Sequence, residues 1–103
     1  MEFKTDSISF GRFKGSGPRT DSKSITFSGT VKQATAILTG TDFGFSPRDD
    51  HHLGMVDLKV DASILPSGNA INVTATFGVR DWSDNWDDDY EGTVYFAVLA
   101  ELA

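Results

Sequence analysis

The chain has 103 residues, no cysteine and a formal net charge of −6, and its length suits a single compact domain, residues 1–103. The lack of cysteine excludes disulfide frameworks, thiolate metal sites and cysteine nucleophiles. The negative charge argues against binding to nucleic-acid phosphates or to an anionic membrane surface, because both need clustered lysine and arginine. No apolar run is long enough to insert into a membrane. Residues 1–6 lack the apolar stretch of a secretory signal, so we expect a cytoplasmic protein or one released without a cleaved signal.

The first half of the chain predicts short, irregular strands. We expect an edge strand at residues 8–13, a flexible loop at 14–23 that is rich in glycine and polar residues, and a short strand at 24–28. Residues 31–45 predict a longer strand, in which Gly40 and Gly44 indicate a bulge or bend.

The second half alternates between apolar and polar residues, as half-buried strands do. Two such runs cover residues 56–64 and 71–79, and a third covers residues 94–102. In the third run Tyr95, Ala97 and Leu99 make the second face apolar as well, which predicts either a central strand or a subunit interface. Six or seven amphipathic strands and no helical periodicity predict an all-β fold, an antiparallel β-sandwich.

A turn at residues 66–69 joins two of these runs as a hairpin. Since both strands are about twelve residues long, the loop before the first and the loop after the second must lie at the same end of the domain. These loops, residues 46–52 and 80–92, contain eight of the fifteen acidic residues and only two arginines, and so carry the whole net charge of the chain.

The acidic residues of these loops predict a calcium site, because a hard cation relieves their mutual repulsion and prefers carboxylate oxygens. No register of an EF-hand loop fits the sequence, and a merely solvated acidic loop is the alternative. The candidate ligands are Asp81, Asp84, Asp87, Asp88, Asp89 and Glu91. Zinc is disfavoured, because the adjacent His51 and His52 would point to opposite faces of a strand.

The same loops hold aromatic residues, which beside carboxylates are suited to binding sugars: the ring stacks on C–H groups and the acids accept hydroxyl protons. We expect Trp82, directly after a strand, to fold back over the end of the sandwich, and we expect Trp86 to be exposed. The candidate ligand-binding residues are Trp82, Trp86, Tyr90, Asp49, Asp50, His51, His52 and Arg80.

Nothing in the sequence matches a common catalytic motif: there is no nucleophile elbow, phosphate-binding glycine loop or zinc-protease helix. Paired carboxylates could serve a glycosidase, but a domain of this size seldom encloses a deep cleft. We therefore expect a protein that is not an enzyme.

Several segments together resemble the H-type lectins. They are residues 25–27, 34–41, 71–77 and 93–101, with Trp82 just after the third, so the resemblance spans about residues 24–102. It implies a six-stranded antiparallel sandwich that binds N-acetylgalactosamine-like sugars as an oligomer. Trp82 matches the family's tryptophan beside the sugar, although Ser83 stands where the family has histidine. Residues 50–52, 80–85 and 87–88 also resemble a pattern in bacterial proteins of unassigned function.

Two functions follow as hypotheses. The first is a binding module for glycans, assisted by calcium, that uses the acidic and aromatic loops. The second is a structural protein that self-associates and whose acidic end is only solvated; the doubly apolar last strand favours it. Both lead us to expect a homo-oligomer.

Overall fold

A computed structural model describes residues 1–13, 17–45, 52–83, 86 and 89–103. Within these residues the chain is all-β and forms two three-stranded antiparallel sheets, which confirms the predicted fold class. The strands are β1 (Glu2–Phe13), β2 (Arg19–Thr26), β3 (Val31–Phe45), β4 (Leu53–Ile64), β5 (Ala70–Asp81) and β6 (Tyr90–Leu102). None of the described residues forms a helix that could cross a membrane.

The two sheets each place one strand of the C-terminal half at their centre. The first sheet has the order β1-β6-β3 and the second the order β2-β5-β4. The last strand is therefore central, one of the two positions predicted for it. Strand β1 lies at an edge, as predicted, although it begins at Glu2.

The core lies between the two sheets and follows the alternation seen in the sequence. On β5 the side chains of Ile71, Val73, Ala75, Phe77 and Val79 are all buried. They face the buried side chains of Val94, Phe96, Val98 and Ala100 on β6. Burial of one large apolar side chain contributes about 1.5–3 kcal/mol, so these two strands dominate the stability of the fold.

The hairpin between β4 and β5 is confirmed. The Leu65 N–H donates to the Ala70 carbonyl at 2.9 Å, and the Gly68 N–H donates to the Leu65 carbonyl at 2.9 Å. Gly68 has a φ of 82°, which a residue without a Cβ adopts at little cost. The pairing runs from Ile64 opposite Ile71 to Leu53 opposite Asp81, so the start of β4 and the end of β5 do lie together.

The prediction of a loop at residues 14–23 was wrong for residues 19–23, which belong to β2; residues 14–16 lie outside the described part of the chain. The segment is polar because β2 is an edge strand whose side chains are mostly exposed. Its Lys23 ammonium lies 2.8 Å from the Asp6 carboxylate of β1. This hydrogen bond lowers the pKa of Asp6 and ties the two sheets together along one side.

The bulge predicted in β3 occurs at Gly40. The pairing between β3 and β6 shifts by one residue between Leu38 and Gly40. Beyond the shift, Phe45 points into the core. The bulge therefore keeps the inward alternation of β3 in step with β6 over a strand of 15 residues.

Candidate functional site

The candidate site lies at the end of the sandwich where β4 begins and β5 ends. A bulge between Leu53 and Met55 brings Gly54 against the end of β5. A Cβ on Gly54 would clash with the carbonyl oxygen of Asp81 and lie 3.0 Å from the backbone nitrogen of Trp82. The bulge thus fixes the start of β4 directly beside Trp82.

Trp82 is held in place and yet lies in solvent. Its indole Nε1–H donates to the Leu53 carbonyl at 2.9 Å. The His52 ring stacks on the indole with centroids 4.6 Å apart and planes inclined by 24°. Because 71% of Trp82 remains exposed, the indole face away from His52 is open. The expectation that Trp82 folds over the core was wrong, because its Nε1–H bonds to the edge strand.

Trp86, and not Trp82, is the tryptophan that packs on the body of the sandwich. It is half-buried and packs against the core, with its ring 6.2 Å from that of Tyr90. Its seat is Gly78, where a Cβ would lie 2.8 Å from the indole Cη2. The expectation that Trp86 is exposed was therefore wrong: a glycine in β5 leaves the space that the indole fills.

Tyr90 was predicted as a stacking surface for a ligand, and the structure contradicts this. The residue is fully buried. Its hydroxyl lies 3.1 Å from the Gly17 carbonyl and 3.4 Å from the Phe77 carbonyl, both acceptors. The Arg19 guanidinium covers the ring at 4.6 Å from the centroid. Tyr90 therefore has no ring face available to a ligand.

Arg80 was also predicted to contact a ligand. Its guanidinium lies 5.9 Å from the centre of the Trp86 ring, a distance at which a cation is attracted to an aromatic face. Arg80 therefore helps to hold Trp86 on β5. Arg80 thus belongs to the group formed by Trp86 and Tyr90, whereas Trp82 stacks on His52.

Three of the six predicted calcium ligands are described, and they have separate environments. The Asp81 Oδ1 accepts from the Ser83 N–H at 2.9 Å, in a turn after β5. The Asp89 Oδ2 lies 2.7 Å from the Arg12 Nε of β1. Glu91 pairs with Gly44 on the first sheet. No group of three possible ligands occurs among the described residues, so these three carboxylates do not themselves form a calcium site.

The remaining predicted residues lie outside the described part of the chain: Asp49, Asp50, His51, Asp84, Asp87 and Asp88. The charge of the two loops is unaffected by this, since it is a property of the sequence. Of the pair of histidines, only His52 is placed, and it contacts Trp82.

Sequence reasoning missed two apolar residues at this site. Leu53 and Met55, near the start of β4, are both exposed and flank the bulge whose Gly54 approaches Trp82. The bulge shifts their alternation relative to Leu58, Val60 and Ala62 of the same strand, which pack against the core. A glycine between two apolar residues at a strand terminus is the signal that could have indicated it.

Three exposed apolar side chains, Leu53, Met55 and Trp82, thus lie near this end of the second sheet, and the Trp82 indole is fixed by a hydrogen bond and by a stacked ring. Scans against family models, curated proteins and solved structures find no match for this chain. The two-sheet architecture is compatible with the sandwich that the resemblance implies.

Proposed function

We propose that this protein is a non-enzymatic binding module for carbohydrate and that the Trp82 indole is the surface on which the sugar stacks. The observation that carries the proposal is that Trp82 is 71% exposed although both a hydrogen bond and a stacked ring hold it. Exposed aromatic surface of this kind commonly marks a binding site.

Immobilisation of the indole favours binding. A side chain that must be ordered by a ligand costs about 0.5–1.5 kcal/mol. Trp82 has lost this freedom already, through Leu53 and His52. A sugar ring can therefore use the C–H contacts to the indole without that cost.

Specificity for a sugar requires hydrogen-bond acceptors beside the ring. The loops that the β4–β5 hairpin brings to this end carry eight carboxylates, and carboxylates accept protons from hydroxyl groups. The described carboxylates nearest the strand ends are engaged in a turn at Asp81 and in an ion pair at Asp89.

Replacing Trp82 by alanine is expected to abolish sugar binding and to change the free energy of unfolding by less than about 1 kcal/mol, because the side chain is largely exposed. A glycan array identifies the ligand for the unsubstituted protein, and titration with that sugar, beginning with N-acetylgalactosamine, measures the affinity. Trp82→Phe keeps a ring and should retain part of the affinity.

Two results would overturn the proposal. One is a bound sugar whose affinity is unchanged in Trp82→Ala. The other is an array without any signal from a correctly folded protein. A loss of binding together with a collapse in stability would show instead that Trp82 holds the fold.

Calcium binding stays a prediction of the sequence, since the described acids do not make a ligand set. We expect millimolar calcium, compared with EDTA, to raise the melting temperature by about 10 °C, because a ligand at about 100 times its Kd stabilises the native state by about 2.7 kcal/mol. Magnesium serves as the control. An unchanged melt would leave the loops as a solvated acidic surface and the sugar site as metal-free.

A further inference from the structure

The outer face of the first sheet is unusually apolar. Along β6 the residues between the buried ones are Tyr95, Ala97 and Leu99, and their neighbours across the ladders include Phe3 and Ile37. The exposed fractions of Phe3, Ile37 and Tyr95 are 69%, 48% and 44%. We call this surface the apolar face; its residues are Phe3, Thr5, Thr35, Ile37, Tyr95, Ala97 and Leu99.

The outer face of the second sheet provides an internal comparison. There the positions between the buried residues of β4 are Asp57, Lys59, Asp61 and Ser63. The apolar face holds no charged residue, and the nearest charges on its side of the sheet, Glu101 and Asp42, lie beyond its two ends. The middle of the corresponding face of the second sheet carries both signs of charge. Loss of charge with gain of aromatic residues is the composition of an interface centre.

We propose that a second copy of this chain packs on the apolar face, with a twofold axis that crosses β6 near Ala97. Three strands at a spacing of about 4.8 Å and about ten residues of β6 at 3.3 Å each give a footprint of roughly 14 by 33 Å. The apolar face is the centre of this footprint, and polar residues such as Gln33, Thr93 and Glu101 form its rim. Two such footprints amount to about 900 Å² together, just below the area of about 1,000 Å² that marks a stable interface, so we expect a weak dimer. The small side chain of Ala97 allows close approach at the axis.

Repulsion between the acidic ends determines the relative orientation of the two copies. The loops of residues 46–52 and 80–92 carry the net charge of −6 in the sequence, and the strand ends that they join lie at one end of the sandwich, with Phe45 opposite Tyr90 and Leu53 opposite Asp81. An axis parallel to β6 would place both acidic ends together, where they repel. An axis across β6 places them at opposite ends of the dimer. It also sets Leu99 of one copy opposite Tyr95 of the other.

The first test is sedimentation of the wild-type protein at concentrations up to about 100 μM, which detects Kd values in the micromolar range. We expect a species of twice the 11.2 kDa chain mass. Tyr95→Lys and Ile37→Lys should each give a folded monomer by circular dichroism, because both side chains are exposed in the single chain. Ser63→Lys, on the outer face of the second sheet, is the matched control and should remain a dimer.

The second test uses the absence of cysteine from the chain. Thr5 pairs with Ala97, so an axis across β6 at Ala97 brings Thr5 opposite its own copy. Thr5→Cys should therefore be cross-linked to itself by a short bis-maleimide, whereas Ser63→Cys should not. A monomeric wild-type protein, or a dimer that survives both lysine substitutions, overturns the interface. A dimer in which Thr5→Cys fails to cross-link overturns the orientation.

Discussion

Gly92→Ala is expected to lower the free energy of unfolding by about 3 kcal/mol, the upper part of the usual range for overpacking a core. A Cβ at this position would lie 2.5 Å from the Asp42 carbonyl oxygen and 2.7 Å from the Cζ of Phe77. Neither neighbour can move freely. The carbonyl belongs to the adjacent strand, and the Phe77 ring packs at 5.3 Å from that of Phe10.

Urea unfolding followed by tryptophan fluorescence measures this effect. Gly40→Ala is the matched control, because Gly40 also lies in the first sheet but a Cβ there would meet no atom within 4 Å. Its substitution should change stability by less than about 1 kcal/mol and can even stabilise by reducing the entropy of the unfolded chain. Equal effects of the two substitutions would contradict the close approach at Gly92.

Gly92 matters for the site because it sets how closely the sheets approach at that end of the sandwich. The Phe77 ring of the second sheet lies against it and also packs on Tyr90 at 5.4 Å. Tyr90 in turn contacts Trp86. The position of Trp86 therefore depends on core packing between β5 and β6.

The fold was predictable because the buried strands alternate without interruption. In β5 every apolar residue from Ile71 to Val79 faces the core, and the turn before it carries proline, glycine and asparagine. These local signals also placed the two loops at one end. Edge strand β2 could not be predicted in full, because its exposed positions carry polar residues that are equally common in loops.

The candidate site was predictable in its location and not in its contacts. Counting charges indicated which end was acidic, but the partner of Asp89 is Arg12, 77 residues away in the sequence. The separation of two residues in the sequence does not show whether they form an ion pair. In the same way, the hydrogen bond from Trp82 to Leu53 depends on a bulge in a different strand.

The sequence predicts that Trp82 packs on the sandwich and that Trp86 is exposed, and the structure shows the opposite. Proximity to a strand suggested that Trp82 covers the core, whereas burial depends on the space available. That space exists at Gly78, which stands in β5 where the other outward positions carry larger side chains. A glycine on the outer face of a central strand indicates that another group approaches closely. It was the one signal in the sequence for the seat of Trp86.

Trp86→Ala is accordingly expected to lower the free energy of unfolding by about 3 kcal/mol, the lower limit for removing a large aromatic side chain from a core, because Trp86 is only half-buried. For a domain of this size the melting temperature should fall by about 10 °C or more. Since Gly78, Tyr90 and Arg80 surround the indole, the loss is one of packing. Differential scanning calorimetry measures it directly.

Comparison with Trp82→Ala makes the experiment decisive, because the chain has only these two tryptophans. We expect Trp86→Ala to lose stability but to bind sugar below its melting temperature. We expect Trp82→Ala to keep its stability and to lose sugar binding. Gly78→Ala should lose at least as much stability as Trp86→Ala, since the added methyl group would meet both the Trp86 ring and the Cα of Pro18. If Trp86→Ala melts normally and fails to bind, then Trp86 and not Trp82 is the binding surface, and the sugar site lies at Gly78 and not beside Leu53.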